Sequence, residues 1–145
     1  MSERSKSLYQ QFTMLSPGEF RRLIKIADWR AGDGVTKLTL ENEVSENLFY
    51  IISGSVCVQK GEHRFLVEDG GFIGEVGYLL NSPASGTTTA APGTLYLNWN
   101  GQELANLERR YPGIRVALRD LINIDMAGKV AESLGTNDIL TSAQV

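Results

Sequence analysis

Cysteine and histidine are scarce: Cys57 and His63 are the only examples of each. One cysteine excludes an internal disulfide, and together the two residues fall short of a zinc ligand set. A lone thiol fits a reduced, cytosolic setting. No run approaches the roughly 20 apolar residues of a membrane span. The polar start, MSERSKSLYQQF, has no apolar signal-peptide core. Basic charge is scarce too: 14 Lys and Arg stand against 17 Asp and Glu, a net charge of -3. Nucleic acid is therefore not an expected partner. Positions 65 to 108 hold no Lys or Arg at all.

Catalytic motifs are also missing. There is no Gly-x-Ser-x-Gly elbow, no HExxH pair and no P-loop lysine. Glu68 and Asp69 precede two glycines and read as solvated turn residues. His63 sits at a turn tip, with no second metal-ligating residue nearby. The chain reads as a binding or regulatory module, not an enzyme, with no metal or resident cofactor expected.

What is present is enough for one folded domain: 145 residues, 42% of them apolar. Residues 1–11 read as a flexible or peripheral arm. Ser16-Pro17-Gly18-Glu19 predicts a helix start, with Ser16 as N-cap, Pro17 at N1 and Glu19 closing a capping box. Phe20, Leu23, Ile24 and Ala27 give that helix its apolar face. From Gly32 onward short β-branched and aromatic runs (VTKLTL, NLFYII, SVCVQ, RFLVE) alternate with turn residues. That spacing predicts an all-β barrel or sandwich. Val56 and Val58 are expected on one face of their strand, with Ser55, Cys57 and Gln59 on the other. Leu95, Leu97 and Trp99 mark a further strand. A helix capped by Asn100 follows, and a last one runs from Pro112 to about Leu134, ended by Gly135. Its expected buried stripe is Ile114, Leu118, Leu121 and Ile122, continued by Ile124 and Met126. Residues 12–134 form the domain, and 135–145 read as a tail without evident structure.

The most glycine-rich part is GGFIGEVGYLLNSPASGTTTAA, residues 70–91. Its glycines permit left-handed turns and leave amides uncovered. Glu75 lies in the middle of it. A buried carboxylate needs partners, and backbone amides of its own loop or the hydroxyls of a ribose both serve. The residues alone leave binding and purely structural roles open.

Together with FYIISGSVCVQ at 49–59, this stretch resembles the cyclic nucleotide-binding domain family. That family shows a Gly-x-Val-x-Val strand, a Gly-Asp-x-Phe-Gly-Glu turn, and Pro-Arg-x-Ala-Thr eight residues beyond the Glu. Glu75 and Pro83 keep that spacing. The resemblance implies an eight-stranded β-roll with one N-terminal helix and two C-terminal helices. It also implies a ligand site at Gly74, Glu75, Val76, Ser85 and Thr87, with Glu75 accepting from a ribose hydroxyl and Thr87 near the phosphate. The family's arginine is replaced by Ala84, and its alanine before threonine by Gly86. A guanidinium gives a phosphate a charge-assisted, often bidentate pair. Weak or altered binding of a cyclic nucleotide or other small anion is therefore expected. A lysine from the 60–64 hairpin is the nearest replacement, if the fold brings it in.

The chain also resembles the bacterial relatives of the Popeye domain, which share this roll and a divergent cassette and are often joined to membrane segments. The chain is thus similar to a cytoplasmic sensory or regulatory domain. The alternative is a degenerate roll without small ligand, acting as a homodimer through the helix at 112–134.

Overall fold

The computed structural model describes residues 2–144, with side chains as far as residue 131. The elements are α1 (Glu3–Tyr9), α2 (Pro17–Lys25), β1 (Asp28–Ala31), β2 (Thr36–Thr39), β3 (Asn47–Ser53), β4 (Val56–Lys60), β5 (His63–Val67) and β6 (Phe72–Ile73). They continue as α3 (Glu75–Leu80), β7 (Thr87–Ala90), β8 (Leu95–Asn100), α4 (Gly101–Arg110) and α5 (Pro112–Gln144). The strands form two antiparallel four-stranded sheets, in the orders β1-β8-β3-β6 and β2-β7-β4-β5. This is an eight-stranded β-roll with helices packed at both chain ends.

Side-chain alternation along β3 explains why the two sheets and the helices share one core. Phe49 and Ile51 point into the roll, where they meet Val56, Val58, Val67, Ile73 and Tyr96. Leu48 and Tyr50 point the other way, toward a helical layer containing Phe12, Phe20, Leu23, Ile114 and Leu118. A strand buried on both faces reads as a continuous apolar run, as NLFYII does. Trp99 is fully buried in the helical layer, and its Nε1 donates to the Leu23 carbonyl at 2.9 Å, tying β8 to α2.

The capping signals act as expected. Glu19 N–H donates to Ser16 Oγ at 3.2 Å, and Ser16 N–H to Glu19 Oε1 at 2.8 Å. Asn100 caps α4 by accepting from Glu103 N–H at 3.0 Å. Trp29 lies on β1, packed against the helical layer with the Arg4 guanidinium 4.1 Å above its ring.

The structure departs from the sequence reading in four places. Residues 3–9 are helical, and Leu8 is buried in the core, so this part of the supposed arm is an integral element. The strand at 28–31 begins before Gly32, because β8 pairs with it residue by residue. Ile124, placed near the buried stripe of the last helix, is 59% exposed, whereas Ile114, Leu118 and Ile122 are buried. Finally, α5 continues through Gly135 to Gln144: a helical glycine costs about 1 kcal/mol relative to alanine, too little to end a helix on its own. Side chains of α5 beyond residue 131 lie outside the described residues. No described helix is long and apolar enough to cross a membrane.

Candidate ligand-binding site

The cassette begins where β6 leaves β3. Gly74 turns the chain with φ 85°, and a Cβ there would lie 2.8 Å from the Asn47 carbonyl oxygen. Only glycine satisfies both conditions. The short α3 follows at once and ends at Asn81 in the left-handed conformation. Ala84 is then fixed by its backbone: its N–H donates to Glu43 O at 2.8 Å, and its carbonyl accepts from Asn42 N–H at 2.9 Å. Beyond it β7 runs beside β4, with Thr87 opposite Gln59.

A cavity of about 130 Å³ lies between the cassette, the ends of β4 and β7, and α5. Gly74–Gly77 and Ala84–Gly86 form one side, and Met126, Lys129 and Val130 of α5 form its roof. Four of the expected site residues, Gly74, Glu75, Val76 and Ser85, are thus brought together. Thr87 is not among them. Its hydroxyl faces outward and accepts from Glu41 N–H at 3.0 Å, while Thr88 is the threonine that lines the cavity. The strand's period of two fixes this exchange. Even Thr88 is committed, since its hydroxyl accepts from Thr39 N–H at 3.1 Å and meets Thr39 Oγ1 at 2.8 Å.

Glu75 is 7% exposed, and its Oε1 accepts a hydrogen bond from the Lys129 ammonium of α5, 54 positions away in sequence. The same ammonium donates to the Phe72 carbonyl and lies 2.8 Å from Asp125 Oδ2. Glu75 is pushed up from about 4.5 to about 8. Burial is the largest cause, and a hydrogen bond with the Asp125 carboxyl the next; the Lys129 charge pulls downward without overcoming them. Glu75 Oε2 and Asp125 Oδ2 are buried without another hydrogen-bond partner among the described residues. A proton on Glu75, donated toward the Asp125 carboxyl, gives the otherwise unpartnered Glu75 Oε2 a hydrogen bond. With Lys129 protonated, the three-residue cluster is then neutral, as a buried group of charges needs to be.

A second polar contact ties α3 to the helices beyond the roll. The Tyr78 hydroxyl donates to Glu108 of α4, which is 3% exposed and lies 3.4 Å from Arg119 Nε of α5. Burial and the Glu108 carboxylate both push the Tyr78 phenol up. Among the described residues, polar contacts therefore tie the cassette to the terminal helices at Glu75 and at Tyr78.

Sequence reasoning missed Lys129 and Asp125 because contact across a long helix leaves no local spacing to read. The lysine expected from the 60–64 hairpin is Lys60: it shares one face with Val56 and Val58 by simple alternation, and it lines the cavity.

The arrangement is a β-roll with a small cavity under a helical roof. The sequence matches no protein-family model and no curated protein. Its fold matches solved structures. A cyclic nucleotide-binding domain from Methylobacillus flagellatus has a TM-score of 0.78 at 18% identity, over 95% of this chain and 85% of that one. The catabolite activator protein of Thermus thermophilus has a TM-score of 0.67 at 21% identity, over 90% of this chain and 62% of that one. This chain thus spans less than two thirds of the Thermus protein. The regulatory subunit of a cAMP-independent protein kinase A from Trypanosoma cruzi, bound to guanosine, has a TM-score of 0.63 at 15% identity, over 74% and 41% of the two chains. The fold of this chain is that of cyclic nucleotide-binding domains.

Proposed function

We propose that this chain is a non-enzymatic regulatory or sensory domain of a cytosolic setting, whose cavity takes a ligand of the nucleoside or nucleotide class. The carrying observation is that Glu75, the one buried carboxylate of the cavity wall among the described residues, is held by a side chain of the terminal helix. A ligand hydroxyl that binds Glu75 competes with Lys129. The ligand's gain is then the loss of a contact that holds α5, which is the differential interaction any population shift requires.

The cavity size supports the same mechanism. At about 130 Å³ it is below the roughly 300–1,000 Å³ of typical ligand sites, so entry is coupled to movement of Met126, Lys129 and Val130. Displacement of α5 also strains the Tyr78–Glu108–Arg119 contact, which links the cassette to α4. Ala84 offers no charge-assisted pair to a phosphate. Relative to an arginine-bearing cassette, cyclic nucleotide affinity is reduced or redirected. The Trypanosoma neighbour bound to guanosine supports including uncharged nucleosides in the ligand class.

Calorimetric titration with cAMP, cGMP, adenosine and guanosine, each to millimolar concentration, tests this reading. Saturable heat with at least one of them is expected, and none with any would sink it. A homodimer through α5 is the second reading, favoured by the exposed Val116, Ile124 and Val130 on that helix (63%, 59% and 58% exposed). A monomer by sedimentation at high concentration contradicts it.

A further inference from the structure

Within the cavity reading just given, the structure assigns the recognition of a ligand's negative charge to Lys60, and hence a singly charged acidic ligand to the cavity. Among the described residues, three charged side chains stand in the wall: Glu75, Lys129 and Lys60. The first two neutralise each other together with Asp125. Lys60 has no carboxylate within ion-pair distance among the described residues. It is the cation left over.

Its placement follows from the pleat. Lys60 continues the inward face of Val56 and Val58 at the end of β4. With Gln59 opposite Thr87, the next antiparallel pair sets Lys60 against Gly86. A Cβ on residue 86 would lie 2.9 Å from both the Gln59 carbonyl oxygen and Lys60 Cγ, so the glycine leaves room for the neighbouring strand and for the lysine stem alike. The ammonium ends 5.9 Å from the centroid of Phe65, itself a wall residue. Ala84 removes a cation from β7's approach, and Gly86 opens the path for one from β4.

Other donors at this end are few. The Thr39 and Thr88 hydroxyls bond each other, and Thr39 Oγ1 also donates to Gly86 O at 2.8 Å. The exposed Ser85 stands at the rim beside Gly86. One lysine matches one negative charge, while Glu75 at the other end matches hydroxyls. The chemical class is a sugar or nucleoside carrying a single acidic ester.

The test compares cAMP with adenosine on the full chain, for wild type, Lys60→Gln and Lys60→Arg. Lys60 is exposed, so all three should unfold at the same urea midpoint. A charge-assisted hydrogen bond at a rim position predicts a roughly tenfold loss of cAMP affinity in Lys60→Gln. Adenosine affinity should stay unchanged, and Lys60→Arg should retain cAMP affinity. If both ligands bind and Lys60→Gln changes neither, the assignment to Lys60 is overturned while the cavity reading stands. If neither ligand binds the wild type, both fall together.

Discussion

Replacing Glu75 with Gln tests the buried cluster through the pH dependence of stability. The wild-type carboxyl takes its proton near 4.5 in the unfolded chain and near 8 in the folded one. The folded state therefore binds more protons between those values, so stability falls as pH rises through that window. The contribution is complete below about pH 4.5 and lost above about pH 8. Integrated from pH 5 to pH 9, the loss is about 4 kcal/mol. Glutamine mimics the protonated acid: its carbonyl oxygen still accepts from Lys129, and its amide donates to Asp125 where the shared proton lay. Wild type and Glu75→Gln should thus have similar urea stabilities at pH 5, and the variant should lead by about 4 kcal/mol at pH 9. Tyr50, pushed to about 12 by its burial and by Asp125 and Asp69, titrates outside the window. Parallel stability curves for the two proteins would refute the reasoning, because they would mean that Glu75 is ionised against Lys129 throughout.

Two further outcomes follow from the cassette. Ala84→Arg adds a guanidinium to the cavity wall and should raise cAMP affinity roughly 30-fold or more, leaving adenosine unchanged in the same titration; equal affinities would show that residue 84 does not face the ligand's charge. Gly74→Ala should lower urea stability by about 1–2 kcal/mol from its left-handed backbone alone, with the approach to Asn47 O adding to it. An unchanged midpoint contradicts the tight turn.

Local patterns carried most of the roll. The capping box at Ser16 and Glu19, the alternation of Val56 and Val58, and the Asn100 cap each depend on neighbours a few residues apart, and each is realised. The elements that were missed depend on distant partners. The polar helix at 3–9 is fixed by burial of Leu8, the strand at 28–31 by pairing with β8, and α3 is too short to show a period. The site divides the same way. The resemblance to the cyclic nucleotide-binding family pointed to Gly74, Glu75, Val76 and Ser85, and these four share one wall. Choosing Thr87 over Thr88 required knowing which face of β7 turns inward, and alternation alone separates the faces without saying which is inside. Lys129 reaches Glu75 only because α5 folds back over the roll.

Amide hydrogen exchange over residues 74–78 and 123–131, with and without saturating cyclic nucleotide or nucleoside, tests the coupling between ligand and helix most directly. Competition for Glu75 predicts that ligand protects the cassette amides and changes exchange in α5 around Lys129. Ligand that saturates the protein and leaves α5 exchange unchanged would contradict it.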